Sequence, residues 1–153
     1  MPVEKLKWFL DKENVKYTTI SHSRAYTAQE IAHSAHIPGK ELAKTVLIKI
    51  DGTLAMAVLH ASYKVDLERL RAAAGAAHVE LASEQEFRDR FSDCEPGAMP
   101  PFGNLYGMET FAAEDLARNK EIAFNAGSHV EVIRMAYVDF ERIVQPKVLA
   151  FTN

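Results

Sequence analysis

The sequence predicts an α+β fold with a mixed, largely antiparallel sheet and flanking helices, and three observations lead to that class. Helix-spaced and strand-like hydrophobic patterns alternate along the chain. Asp51-Gly52 joins two apolar runs, 45–50 and 53–59, in the pattern of a β-hairpin. No linker, repeat or low-complexity tract interrupts the 153 residues, so we expect a single domain over residues 1–153.

The elements before the hairpin follow from spacing and capping residues. Apolar residues three and four apart predict an amphipathic helix over the first dozen residues, and residues 17–20 have the pattern of a short strand. Thr27 and Glu30 have the spacing of a capping box, so a second helix is expected to begin at Ala28.

The hairpin gives one lysine unusual surroundings. A two-residue turn at Asp51-Gly52 pairs Lys44 with Leu59 near the open end. Because side chains alternate between the two faces of a strand, Lys44 shares its face with Val46 and Ile48. We therefore expect a cation at the rim of an apolar surface, a position that also suits a lysine that only keeps its charged end in water.

Helices and short strands alternate over the second half of the chain. Asp66 can cap a helix that Gly75 ends, and the capping box of Ser83 and Glu86 predicts a helix over 84–91. Residues 125–128 have turn composition. Strand patterns cover 78–81, 105–106, 109–112, 121–124 and 130–135, and a closing helix is expected over 137–144.

Residues 97–103 (GAMPPFG) predict a rigid loop. Pro100 and Pro101 fix φ and remove two backbone donors, while the glycine at each end permits positive φ and leaves its amide uncovered. Such a segment can form one wall of a binding pocket, and its composition also fits an ordinary tight turn.

Composition and charge exclude several classes. The net charge of −3 argues against a broad, sequence-independent grip on nucleic acid, but it leaves room for a local contact with the end of an RNA. Cys94 is the only cysteine, so neither an internal disulfide nor a cysteine metal cluster can form. The first residues lack the pattern of a signal peptide, and no apolar run is long enough for a membrane span. We expect a cytoplasmic protein.

Three segments together resemble one known family. Residues 43–49 (AKTVLIK), 97–103 (GAMPPFG) and 126–130 (AGSHV) are similar to the lysine-bearing strand, the Gly-x-x-x-Pro loop and the later glycine-histidine turn of YbaK-like, prolyl-tRNA synthetase-associated editing domains. The likeness extends over most of the chain in the expected order. It implies an α+β editing domain that hydrolyses the ester of a mischarged aminoacyl-tRNA without a metal or organic cofactor.

The resemblance also implies roles for individual residues. Lys44 would position the 3′-terminal phosphate or the aminoacyl group, Gly97 would present main-chain amides to the ester carbonyl, and His129 would help to shape the amino-acid pocket. Pro101 would keep the loop rigid. The terminal ribose hydroxyl would assist the attacking water, so no protein residue is assigned as general base. The expected substrate-binding set is Tyr26, Met99, Pro101, Phe102, Gly127 and Ser128, in which Tyr26, Met99 and Phe102 are included as apolar residues for the pocket lining.

One departure and two rival functions stay open. Pro100 stands where many members of the family have a small polar residue, which puts a hydroxyl contribution from that position in doubt. Met56 is a further apolar candidate for the pocket lining. The expected partners are the 3′ end of aminoacyl-tRNA and, as a further candidate, a synthetase, with no DNA and no membrane. The rivals are a binding module without turnover and an unrelated hydrolase that acts through Cys94 or His129.

Overall fold

The computed structural model describes residues 4–22, 30 and 37–153, and it arranges their strands in two sheets. The helix predicted to begin at Ala28 lies outside the described residues. The strands are β1 (Tyr17–Ser21), β2 (Ala43–Ile50), β3 (Thr53–His60), β4 (Val79–Leu81), β5 (Glu109–Ala113), β6 (Glu121–Asn125), β7 (Glu131–Ala136) and β8 (Lys147–Leu149). The helices of the described part are α1 (Glu4–Lys12), α2 (Leu67–Ala74), α3 (Glu84–Phe87) and α4 (Tyr137–Val144).

The larger sheet is built on the predicted hairpin. Its strand order is β4-β2-β3-β5-β8, and β4, β2 and β3 are antiparallel neighbours while β5 and β8 join in parallel. The register predicted from Asp51-Gly52 is confirmed, because Lys44 pairs with Leu59 and Ala43 with His60. The mixed sheet and its helices confirm the predicted α+β class.

The smaller sheet continues from the beginning of β2. Its order is β1-β7-β6, and both pairings are antiparallel. A single parallel bridge between Leu42 and Ala123 joins it to the residue that precedes β2. Because the bridge is parallel, the two segments run in the same direction from it. The beginning of β2 and the end of β6 therefore lie close together.

Phe102 lies in the main hydrophobic core. Its side chain is fully buried, and its ring centroid is 6.2 Å from that of Phe9, 5.4 Å from that of Phe124 and 5.6 Å from that of Phe140. These rings come from α1, β6 and α4, so one aromatic residue of the predicted loop joins three elements. Edge-to-face and tilted aromatic contacts of this kind add to the free energy gained from burial.

The helix caps follow the sequence signals. The side chain of Asp66 accepts a hydrogen bond from the Arg69 amide at 3.0 Å, and Gly75 ends α2 with a φ of 68°. Ser83 and Glu86 form the predicted capping box, but the α-helix ends at Phe87 and continues as a 3₁₀ turn to Phe91. No helix of the described residues is long and apolar enough to cross a bilayer.

Two local predictions differ from the structure. Residues 105–106 are not a strand, because the carbonyl of Gly103 accepts hydrogen bonds from the amides of Tyr106 and Met108 and closes a 3₁₀ turn over Gly103–Leu105. Strand β8 was not predicted. It has only three residues, and it is held by parallel pairing with β5 rather than by a hydrophobic pattern of its own.

Candidate active site

The predicted loop begins with a tight turn at Pro96 and Gly97. The Ala98 amide donates to the carbonyl of Glu95 at 3.1 Å, and Gly97 has a φ of 82°. A proline at the second position and a glycine with positive φ at the third define a type II turn. This conformation explains the need for glycine at position 97, because other residues are strained at such a φ.

Main-chain hydrogen bonds attach this turn to the segment between β6 and β7. The Glu95 amide donates to the Gly127 carbonyl at 2.8 Å, and the Gly127 amide donates to the Ala98 carbonyl at 2.9 Å. Gly127 itself has a φ of 98°. The loop at 97–103 and the turn at 126–130 therefore form one rigid unit, although about thirty residues separate them in the chain.

His129 adds two hydrogen bonds to that unit. Its amide donates to Oε1 of Glu95 at 3.1 Å, and its Nε2 is 2.7 Å from the carbonyl oxygen of Pro96. A carbonyl oxygen can only accept, so Nε2 carries the proton in this contact. The side chain is buried, and it acts as a donor that fixes the Pro96 carbonyl.

The direction of the Gly97 amide follows from this bond. The described residues contain no cis peptide bond, and in a planar trans peptide the C=O and N–H groups point in opposite directions. With the Pro96 carbonyl turned to His129, the Gly97 N–H is turned away from the imidazole. Gly97 is exposed, and no acceptor for its amide lies within hydrogen-bond distance among the described residues.

Lys44 lies half-buried at the beginning of β2. Burial lowers the pKa of its ammonium group below the usual value, and the nearby charge of Lys64 lowers it further. A negatively charged group close to the ammonium favours its charged form and so offsets both effects on the pKa. The environment therefore favours an anionic ligand at Lys44.

The Leu42–Ala123 bridge brings Lys44 towards the loop unit. Lys44 lies two residues beyond Leu42, and Asn125 lies two residues beyond Ala123, so the parallel bridge brings the beginning of β2 close to the end of β6. Asn125 leads directly into the turn that holds Gly127. The side-chain oxygen of Asn125 is buried and accepts no hydrogen bond from the described residues.

The other predicted site residues separate into three groups. Ser128 is buried, and its Oγ accepts a hydrogen bond from the Val130 amide at 3.4 Å, which supports the turn. Pro101 is buried between Pro100 and Phe102, whose carbonyl and amide are joined at 2.8 Å, so it stiffens the loop. Tyr26 lies outside the described residues.

The apolar candidates lie in hydrophobic clusters. Met99 and Met56 pack in a second core cluster with Leu47, and both are buried. Phe102 lies in the main core and is fully covered. Met99 also lines a small cavity together with Glu95 and Pro96, directly before Gly97.

Cys94 is not prepared to act as a nucleophile. Burial raises the pKa of its thiol to about 12, and its Sγ lies 3.4 Å from the hydroxyl oxygen of Tyr106. At neutral pH the group is therefore a protonated thiol, whereas nucleophilic cysteines are thiolates. This finding disfavours the rival hydrolase that acts through Cys94.

The structure adds two residues to the site that sequence reasoning missed. Glu95 accepts from the His129 amide, and Lys64 contributes a second positive charge near Lys44. Lys64 follows the end of β3 by four residues, beyond the reach of the hairpin register. The signal for Glu95 was its place directly before a Pro-Gly pair, at the first position of the turn.

The loop carries an exposed amide, and Lys44 lies partly buried on the strand that the Leu42–Ala123 bridge brings close to the end of β6. An amide donor and a cation together suit a ligand that carries both a carbonyl and an anionic group. On this fold, that combination defines a class of protein that handles activated acyl groups. The chain belongs to the aminoacyl-tRNA editing domain family, whose model matches residues 22–143. The predicted family is thus confirmed.

Curated relatives agree with this assignment. The chain is 27% identical over 154 aligned positions to the multifunctional Ser/Thr-tRNA deacylase ProXp-y of Escherichia coli strain K12, an alignment that covers 97% of this chain and 91% of the relative. It is also 31% identical over 84 residues to the proline–tRNA ligase of Staphylococcus epidermidis strain RP62A, covering 55% of this chain and 15% of the ligase.

Solved structures show the same fold. A candidate trans-editing enzyme for prolyl-tRNA synthetase superposes with a TM-score of 0.83 at 16% identity, covering 99% of this chain and 96% of that one. A hypothetical protein superposes with a TM-score of 0.87 at 15% identity, covering 98% and 100%. These structures confirm the architecture over nearly the whole chain.

Proposed function

We propose that this protein is a trans-editing aminoacyl-tRNA deacylase, which hydrolyses the ester between a wrongly attached amino acid and the 3′ end of its tRNA. The observation that carries this proposal is the fixed Pro96–Gly97 peptide, whose carbonyl is held by His129 and whose N–H is exposed. Family membership and the deacylase relative support the reaction class. We further propose that residues 1–153 act as one editing domain in the cytoplasm.

In this mechanism the Gly97 amide stabilises the oxyanion. Attack on an ester carbonyl places negative charge on its oxygen, and a donor already fixed in position contributes about 2.7–4 kcal/mol to the transition state. The Gly97 N–H does not have to reorganise, because the type II turn and the His129 hydrogen bond hold the peptide plane. His129 is a positioning residue in this account.

Lys44 holds the phosphate of the terminal nucleotide. A partly desolvated ammonium group gains more from an anionic partner than a fully solvated one does, because the surrounding dielectric is lower. Lys64 contributes a second positive charge near Lys44. With the two lysines on the phosphate and the Gly97 amide on the ester, the nucleotide lies against β2 and the ester carbonyl lies at the loop.

Water is the nucleophile, and the substrate's own ribose hydroxyl orients it. The water oxygen bonds to the ester carbon, the bond between that carbon and the ribose oxygen breaks, and the ribose oxygen takes up a proton. His129 Nε2 already donates to Pro96, so that nitrogen does not accept the water's proton. An ester has a good leaving group, and orientation of the reactants supplies much of the required rate.

The relative's name suggests the first substrates to try. Because ProXp-y acts on Ser- and Thr-tRNA, we propose seryl and threonyl esters as candidates, and the prolyl-tRNA ligase likeness makes a prolyl-tRNA synthetase a candidate partner. The alternative is a binding module that recognises the same tRNA end without cleaving it.

Single-turnover deacylation tests the proposal. Wild-type protein is mixed with a panel of mischarged tRNAs that includes seryl- and threonyl-tRNA, and Lys44→Met is the matched variant that keeps most of the side-chain volume but not its charge. We expect at least one ester to be cleaved well above its spontaneous rate. Lys44→Met should lose about 100-fold in the rate measured below saturation, because it removes one partner of a partly desolvated charge pair. Binding of a non-hydrolysable aminoacyl-adenosine analogue without any cleavage would instead support the binding module.

A further inference from the structure

A polar cavity lies beside the seam between the two sheets, which is the place where Leu42 bridges to Ala123. Its volume is about 310 Å³, and it is lined by Lys40, Glu41, Arg118, Asn119, Lys120 and Glu121. We call it the basic groove. None of these residues belongs to the predicted catalytic or substrate-binding set.

The charge of the groove is positive because its carboxylates are engaged elsewhere. Arg134 binds Glu41 through two contacts of 2.8 and 3.1 Å and lies 3.6 Å from Glu121. Lys40 and Lys120 have no carboxylate within salt-bridge distance in the described ranges. Two ammonium groups are thus left to face a ligand.

Arg118 adds a third cation. Its guanidinium is mostly exposed and reaches only Glu114, at 4.0 Å, which is a weak contact for a solvated pair. A guanidinium can bind a phosphate through two parallel hydrogen bonds, and a lysine ammonium supplies a compact point charge. The groove therefore has the donor set of a phosphate site.

The backbone of the groove is fixed by a partly buried network of hydrogen bonds. Asn119 Nδ2 donates to the Lys40 carbonyl at 2.9 Å and to the Glu121 carbonyl at 3.3 Å. The Asn119 amide oxygen lies 3.1 Å from Nε2 of His60, a buried residue at the end of β3. Because Nδ2 faces two carbonyls, the amide oxygen is the acceptor and His60 is the donor.

The groove and the candidate active site lie along the same seam. Lys40 precedes the bridging residue Leu42, and Lys44 follows it, while β6 runs past both from Glu121 to Asn125. That stretch of β6 covers roughly 13 Å at about 3.3 Å per residue. The groove therefore lies about four residues from Lys44 along the bridge, a span that a short extended strand of RNA covers.

We infer that the basic groove binds the phosphodiester backbone of the tRNA strand just before the esterified 3′-terminal nucleotide. This inference rests on the proposed function, and it assigns a binding site to the part of the substrate that does not react. Such contacts carry little sequence information, and they fix the register of the strand. The groove would thereby explain how a protein with a net charge of −3 holds an RNA end.

The test compares a substrate that reaches the groove with one that does not. Lys40→Gln, Lys120→Gln and the double variant are assayed below saturation on seryl-tRNA and on 3′-O-seryl-adenosine, which has no phosphodiester backbone. Each contact with a single strand contributes a slope of about −0.7 in log affinity against log salt, or about fourfold at 0.15 M salt. We expect each single variant to lose about fourfold in kcat/KM on the tRNA and nothing on seryl-adenosine.

Lys7→Gln is the matched control, because Lys7 is an exposed lysine on α1 that does not line the groove. The salt slope on tRNA should become shallower by about 0.7 for each groove lysine removed and stay unchanged in the control. Groove variants that behave like Lys7→Gln on tRNA would overturn the inference. Equal losses on both substrates would also overturn it, because the lysines would then act on folding or on the reacting end.

Direct binding separates this inference from the proposed function. If wild-type protein cleaves no ester of the mischarged tRNA panel, the proposed function fails, and the affinity for a labelled single-stranded RNA ending in CCA still decides the role of the groove. The double variant should bind that RNA about 16-fold more weakly than wild type at 0.15 M salt. Inorganic phosphate binding as tightly as the RNA, or a loss of synthetase binding with unchanged RNA affinity, would contradict the assignment to RNA.

Discussion

Nε2 of His129 and the carbonyl oxygen of Pro96 are 2.7 Å apart, and this hydrogen bond joins the turn after β6 to the loop that carries Gly97. It determines which ring nitrogen is protonated, and through the planar peptide it determines where the Gly97 N–H points. The histidine therefore contributes through the geometry of a neighbouring peptide.

Replacing His129 should separate hydrogen bonding from bulk. His129→Gln keeps an N–H that can reach Pro96, and His129→Leu keeps volume but no donor. If the Gly97 amide stabilises the oxyanion, loss of its fixed direction should cost about 100-fold in the single-turnover deacylation rate. We expect that loss in His129→Leu and less than 10-fold loss in His129→Gln.

The KM for the same tRNA should change little in both variants, because the effect lies in the transition state. Thermal unfolding of both proteins controls for loss of fold. Equal activity of the two variants would show that the donor is unimportant, and His129 would then be a packing residue.

Gly97→Ala should cost both stability and activity, whereas Gly75→Ala should cost only stability. Both glycines have positive φ, 82° and 68° respectively, and a left-handed alanine costs about 1–2 kcal/mol. A Cβ at position 97 would meet the His129 ring at 3.6 Å, an ordinary contact, and one at position 75 would meet open space. Urea denaturation should therefore give similar losses for the two variants.

Only the Gly97 variant should lose deacylase activity, because only that peptide faces the proposed substrate. Assays are run at a temperature where both variants are folded. A Gly75 variant that lost as much activity as the Gly97 variant would show that general destabilisation explains the effect.

Lys44 should titrate below its usual range, and Lys64 should be part of the cause. Burial and the Lys64 charge both lower the pKa of Lys44. Removal of the second cation in Lys64→Gln should raise that pKa towards the ordinary value, and Lys7→Gln should leave it unchanged. NMR titration of the lysine side-chain resonances measures the three proteins directly.

The sign of the linked stability effect follows from the same shift. With the folded pKa below the unfolded one, the unfolded chain binds more protons between the two values, so stability rises with pH through that window. A Lys44 resonance that titrates above its model-compound value would contradict the burial argument. An anionic ligand at the site should raise the pKa of Lys44, which gives a second readout on the same sample.

Cys94 should be unreactive in the folded protein. With a thiol pKa of about 12, only about one molecule in ten thousand carries the thiolate at pH 8. Iodoacetamide labelling followed by mass spectrometry should be very slow in the native state and fast in urea, which serves as the positive control. Cys94→Ser should keep deacylase activity, and rapid native labelling with loss of activity would revive the cysteine hydrolase.

Local rules were sufficient for most of the fold. Asp51-Gly52 determined the hairpin register because turn length and pairing are coupled, and Asp66 and Gly75 determined α2 through capping groups within the helix itself. Strand β8 could not be predicted in the same way, since its three residues are stabilised by pairing with β5 and have no pattern of their own.

The site shows the same division between local and distant effects. Positive φ at Gly97 follows from the Pro-Gly pair, but the contact of Pro96 with His129 joins segments 33 residues apart that no periodicity connects. Phe102 illustrates the opposite difficulty. An aromatic residue in a loop suggests a pocket wall, and only the tertiary structure reveals that three other rings surround it.

Residues 151–153 hold the segment that contains Lys64. The Asp66 amide donates to the Phe151 carbonyl at 2.7 Å, the Asn153 amide donates to the Lys64 carbonyl at 3.0 Å, and Arg69 reaches the Thr152 carbonyl at 2.6 Å. These three hydrogen bonds hold the segment of Lys64, the residue whose charge lowers the pKa of Lys44. Displacing residues 151–153 would therefore change the positive charge that Lys44 meets, so this backbone pairing sets how strongly the proposed site attracts an anion.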